Sequence, residues 1–158
     1  MDKQEARPSR FPWPPVIYLA AIAAAVVAGI AYPLPWFGRP LSDILFALGW
    51  LLIAAFVFID LQAMRTLNRA GTSILPTRGA KALVTSGPFA VSRNPIYLGN
   101  SLLTAGLGLV TGNAWFLLFV LIAGFLTVKL AIEPEERHLA LRFGKKYHDY
   151  QKKVRRWI

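Results

Sequence analysis

The sequence predicts an all-α, polytopic membrane protein with about four transmembrane helices and a cytoplasmic, amphipathic helix pair at its C-terminus. Three observations carry this. The chain of 158 residues is 55% hydrophobic and 16% charged, whereas soluble domains average about 25% charged. Its apolar residues fall in long uninterrupted runs, separated by short polar stretches. Its net charge of +10 comes from lysines and arginines between those runs, which points to a membrane surface and away from nucleic acid. The chain has no cysteine, which excludes disulfides, thiolate zinc sites and a thiol nucleophile. Its two histidines, His138 and His148, match no common metal spacing and read as surface residues, so no metal site is expected.

The first span is Val16–Tyr32, "VIYLAAIAAAVVAGIAY". Basic residues precede it, as in a signal peptide, but it is long for such a segment and no clear cleavage site follows. The second is Leu41–Leu61, with Asp60 as an ionisable group near its end. Such a group at the edge of an apolar zone is a functional candidate, although it also suits the interface level beside Gln62 and Arg65. The third runs from Pro95 to about Val110. At about 16 residues it covers roughly 24 Å, short for a full crossing. The fourth is Ala114–Ile132. Gly112-Asn113 is a turn signal, so helices three and four form a tight antiparallel hairpin. Gly106 and Gly108 in helix three and Gly124 in helix four allow close backbone approach there.

Four crossings place the N-terminus, the Gln62–Asn94 loop and the tail on one side. Of 18 lysines and arginines, all but Arg39 lie there, which makes that side cytoplasmic. Lys3, Arg7, Arg10 and Arg78 are among them. The location expected is a plasma or inner membrane with both termini in the cytoplasm. The whole chain, 1–158, reads as a single membrane domain.

The tail begins with Pro134 at a first helical position, followed by Glu135 and Glu136 in the first turn, where the helix dipole favours anions. Leu139, Phe143, Tyr147, Tyr150 and Val154 recur at helical spacing. Gly144 splits this stripe into two helices. The other face is basic, suited to an anionic leaflet or to folding back on the bundle.

Asn94-Pro95 is a helix cap followed by a first-position proline. The hairpin then brings Arg93, Asn94 and Tyr97 near Lys129, Glu133, Glu135 and Glu136. That is a mixed-charge cluster at the mouth of a membrane cavity, suited to a ligand that is polar at one end and meets lipid at the other.

Two stretches carry a resemblance. "LVTSGPFAVSRNPIYLG" is similar to the first motif of the isoprenylcysteine carboxyl methyltransferases and the related membrane phospholipid methyltransferases. Glu135, Glu136, Leu139, Phe143, Gly144, Tyr147, Tyr150, Val154 and Arg156 follow the second. The resemblance covers residues 81–158, the methyltransferase motif region. It implies S-adenosylmethionine as methyl donor, bound by Lys81, Ala82, Leu83, Val84, Phe89, Asn94, Pro95, Ile96, Tyr97 and Glu135. It implies a lipophilic methyl acceptor at the cytoplasmic face, and the function most resembles protein-S-isoprenylcysteine O-methylation. Arg93 and Glu136 are the candidate catalytic residues: Arg93 to meet the donor's carboxylate in a bidentate fashion, Glu136 as the base that an amine acceptor needs. Lys129 is the candidate substrate contact.

The sequence departs from the pattern twice. Asn94 stands where relatives have His, and it cannot titrate. Ala131 stands where the eukaryotic prenylcysteine enzymes carry an Arg for the substrate carboxylate. Phospholipid N-methylation is therefore the alternative chemistry. Two readings of other classes are a nicotinamide-dependent membrane reductase and a catalytically silent membrane adaptor whose basic tail binds anionic lipid.

Overall fold

The computed structural model of the protein describes residues 12–72 and 80–158; Lys3, Arg7, Arg10 and Arg78 lie outside the described residues. Among the described residues, six α-helices follow in order: α1 (Trp13–Ala31), α2 (Leu41–Arg69), α3 (Pro95–Thr111), α4 (Trp115–Thr127), α5 (Glu133–Phe143) and α6 (Lys145–Lys153). A short 3-10 turn, Gly87–Ala90, precedes α3. Three helical stretches are long and apolar enough to cross a membrane: Trp13–Ala31, Leu41–Arg69 and Trp115–Phe143. At 17 residues, α3 is shorter, as the sequence predicts.

The helix boundaries differ from expectation where chain chemistry outweighs hydropathy. α1 starts at Trp13 because Pro14 and Pro15 occupy its first turn, where a missing N–H costs nothing. α2 continues past Leu61 to Arg69. Gln62 to Arg69 is polar but holds no glycine or proline, and the stop comes only at Gly71, with φ of 64°. The loop after α2 is correspondingly shorter than the Gln62–Asn94 segment expected.

The fourth span and the tail are one continuous rod. Val128–Ile132 is a π-helical segment, and Glu133 N–H bonds to Val128 O, five residues back. The cause is Pro134, whose ring clashes with the carbonyl four residues earlier and which offers no N–H. The wider turn accommodates it without ending the helix. Gly144, with φ of 52°, then makes the break between α5 and α6.

α3 packs along α2 and against α4, and α1 packs along α4. The α2–α3 seam rests on glycine. A β-carbon on Gly106 would lie 2.8 Å from the Gly49 carbonyl oxygen, and one on Gly49 would lie 2.9 Å from that of Gly106. The close approach expected between helices three and four is made at Gly108, whereas Gly106 serves the α2–α3 seam. A β-carbon on Gly108 would meet Phe116 of α4, but one on Gly124 would meet nothing within 4 Å. The turn between α3 and α4 is as expected, with Gly112 left-handed at φ of 65°. Asn113 docks it onto α1 by donating from Nδ2 to Ala25 O (3.1 Å). Ile17, Tyr18 and Ala21 of α1 meet Ala123 of α4 in a buried cluster. Large apolar side chains such as Ile30, Ile44, Leu51, Leu121 and Phe125 stay exposed on the outside, as lipid-facing residues do.

Candidate functional site

The starts of α1 and α3, the end of α2, and α5 and α6 gather at one end of the bundle around a cavity of about 350 Å³. That size is within the usual range for small-molecule sites. The two sequence motifs form facing walls. From the first come Ala82, Leu83, Val84, Phe89, Arg93, Asn94, Pro95, Ile96 and Tyr97, and from the second Glu135, Glu136, Leu139, Tyr147 and Tyr150.

Two polar bridges join the walls. Tyr97 donates from its hydroxyl to Glu135 Oε2 (3.1 Å). Arg93 Nη1 lies 3.1 Å from Glu136 Oε1 and donates to the Tyr147 hydroxyl oxygen (3.4 Å). Glu136 is held a second time by Arg156, whose Nε donates to Oε1 (3.1 Å) and Nη2 to Oε2 (2.7 Å). This two-pronged bond to Glu136 raises the Arg156 pKa further above its ordinary value. Both Glu136 oxygens therefore already accept from guanidinium N–H groups.

Of the two routes open to the basic tail, folding back on the bundle is the one it takes. Tyr147, Tyr150 and Val154 are buried against Leu83, Leu139, Ala140 and Phe143, so the helical stripe is a packing face. Tyr150 donates to Phe89 O (2.6 Å). Burial pushes the Tyr147 and Tyr150 hydroxyls up to about 12, so both are protonated donors at neutral pH. Beyond α6 the chain runs extended at Val154 and straps the start of α3. Arg93 N–H donates to Arg155 O (3.0 Å), and Asn94 Nδ2 to Arg156 O (2.9 Å).

That last bond corrects the reading of Asn94 as a side-chain cap. The residue occupies the cap position of α3, but its side chain makes no capping hydrogen bond; it anchors the tail instead. In the Arg93 guanidinium, Nη1 is committed to Glu136, while Nε is buried without a hydrogen-bond partner among the described residues.

Two expected contacts lie apart from the cavity. Lys129 is exposed and pairs with Glu133 at 2.7 Å, one turn along the same rod. Lys81 is exposed, and its backbone N–H bonds to Thr72 Oγ1 (3.0 Å). His138, expected at the surface, is half-buried and lines the cavity, whereas His148 is exposed. A third wall joins Asp60, which the sequence had marked as a candidate, to residues that sequence reasoning passed over: Pro14 and Pro15 of α1, Met64 and Leu67 of α2, and Asn100 of α3. Asp60 carried a signal, a charge near the end of an apolar run; the others carried none. Among the described residues, no group of three or more His, Cys, Asp or Glu side chains is placed to hold a metal ion.

The protein is a helical membrane bundle with a partly enclosed cavity at one end, lined by apolar side chains and a few charged ones. The family model described as phospholipid methyltransferase matches residues 44–146. The chain belongs to the phospholipid methyltransferase family. No curated protein and no solved structure matches it.

Proposed function

We propose that the protein is a membrane methyltransferase that uses S-adenosylmethionine to methylate a lipophilic acceptor. The observation that carries this reading is the meeting of both motifs in one cavity, through the Tyr97–Glu135 and Arg93–Glu136 bridges. The residues present fit the donor. Arg93 Nε, a buried donor without a partner, suits a carboxylate. Glu135 suits an ammonium or ribose hydroxyls. Phe89, Tyr147 and Tyr150 provide aromatic surface for an adenine or a sulfonium. When bound, S-adenosylmethionine supplies an electrophilic methyl group. The residues around it have no covalent chemistry to perform; their task is to hold two reactants in line and keep water out, which is worth up to about 7–11 kcal/mol in favourable cases.

Two acceptor chemistries compete: esterification of an isoprenylcysteine-type carboxylate and N-methylation of a phospholipid amine. The charge lining the cavity favours the amine. Among the described residues, three carboxylates, Asp60, Glu135 and Glu136, line it against one guanidinium, Arg93. Ala131, at the position of the carboxylate-binding Arg of prenylcysteine enzymes, is a buried alanine.

Calorimetry with detergent-solubilised protein tests the reading. Wild type is expected to bind S-adenosylmethionine, and Glu135→Gln to bind it at least about tenfold more weakly, as befits loss of one charged hydrogen bond. Absence of binding to wild type would refute the assignment. A labelled methyl group transferred to lipid and stable to alkali identifies N-methylation, since esters hydrolyse.

A further inference from the structure

Asp60 is a carboxylate with no task in the site as described. It sits in α2 and lines the cavity. Its Oδ1 is buried and has no hydrogen-bond partner among the described residues. The facing position on α3 is Gly99, where a β-carbon would run into that same oxygen. Glycine there keeps the space that Oδ1 occupies. A buried charged oxygen without a donor is costly, and it persists at the edge of an apolar span where a ligand supplies the missing donor.

The other cavity carboxylates have partners. Glu135 accepts from Tyr97, and Glu136 accepts from two guanidinium groups. Asp60 is the exception, and it belongs to the opposite wall. Its cavity-lining neighbours on α2 are Met64 and Leu67, so this wall offers one anionic oxygen beside an apolar surface. That pattern matches a molecule with a cationic head and a hydrocarbon body.

We propose that Asp60 is the specificity-determining residue for the methyl acceptor, and that its carboxylate, held beside Gly99 at the cavity lining, receives the ammonium head of a lipid amine. The assignment rests on the methyltransferase reading and adds the residue that selects an amine over a carboxylate, since a carboxylate head would meet like charge at Asp60.

The test uses full-length protein in detergent and three probes: S-adenosylmethionine, dihexanoyl phosphatidylethanolamine, and dihexanoyl phosphatidylglycerol, which shares the phosphate but has no cation. Asp60→Asn keeps the volume beside Gly99. It is expected to bind S-adenosylmethionine as wild type does, and to bind the ethanolamine lipid about tenfold to a hundredfold more weakly, the range for loss of a charged hydrogen bond. Binding of the glycerol lipid should not change. Asp60→Glu, which keeps the charge, should recover part of the ethanolamine-lipid affinity. Unchanged ethanolamine-lipid binding by Asp60→Asn would overturn the proposal. So would a parallel loss of S-adenosylmethionine binding, because Asp60 would then serve the donor or the fold. A wild type that fails to bind S-adenosylmethionine refutes the methyltransferase reading, while the lipid arm still judges Asp60 separately.

Discussion

Glu136 shows how much of the site depends on single side chains. Arg93 and Arg156 converge on it from two elements far apart in sequence, α3's start and the C-terminal strap. Arg93 and Glu136 are largely buried, their side chains 12% and 15% exposed. Removing one partner of such a group leaves the others charged and unpaired, which costs more than the pair itself contributes. Glu136→Gln is expected to destabilise the protein by about 3 kcal/mol, at the lower end of the range for a buried pair because Arg156 remains a third exposed. Thermal unfolding in detergent measures it. An unchanged midpoint would mean that the strap is held by the packing of Val154 and by its backbone bonds to Arg93 and Asn94, without Glu136. Asn94 belongs to the same network. A residue that cannot titrate is suited there, because its side chain donates to the backbone of the strap.

At the scale of elements, the α2–α3 seam sets the shape of the cavity. It aligns Gly49 with Gly106 in its middle and Asp60 with Gly99 near its polar end. Overpacking such a seam forces backbones apart at a cost of typically 1–3 kcal/mol. Gly106→Val is therefore expected to lower stability by about 2 kcal/mol and, by moving α3, to weaken ligand binding at the far end. Gly124 provides the contrast: a β-carbon there meets nothing within 4 Å. Gly124→Ala is expected to be neutral or to stabilise by up to about 1 kcal/mol, from helix propensity alone. Equal effects from both substitutions, read from paired unfolding curves, would remove the seam's special role. The π-helical turn is the second device at this scale. Pro134 forces it, and the rod continues through it to carry Glu135 and Glu136 to the cavity.

At the scale of the whole molecule, the placement of cations makes a prediction about sidedness. With all but Arg39 on one side of the expected crossings, the cavity end is expected to face the cytoplasm. The absence of cysteine makes single-cysteine labelling clean. A membrane-impermeant maleimide applied to whole cells is expected to label Phe37→Cys, between α1 and α2, and to reach Ile158→Cys only after permeabilisation. Both positions are exposed. The reverse pattern would invert the orientation and place the cavity outside.

The sequence by itself determined the helical class, the apolar spans, the break at Gly144 and most of the two motif walls of the cavity. These follow from composition, periodicity and local backbone chemistry, all written in consecutive residues. The motif residues around Arg93 and Glu135 were legible for the same reason: each motif is a contiguous stretch with its own spacing. Only the tertiary structure decided which glycines touch, that the strap claims Asn94 and Glu136, that Lys129 stays apart with Glu133, and that Asp60 faces the cavity without a partner. Those outcomes depend on the rotation of one helix against another and on competition among distant donors for the same oxygens. Hydrophobic pattern constrains which face of a helix is buried, but it does not say against which neighbour. The third wall of the cavity, drawn mainly from α1 and α2, exists only once the helices have packed.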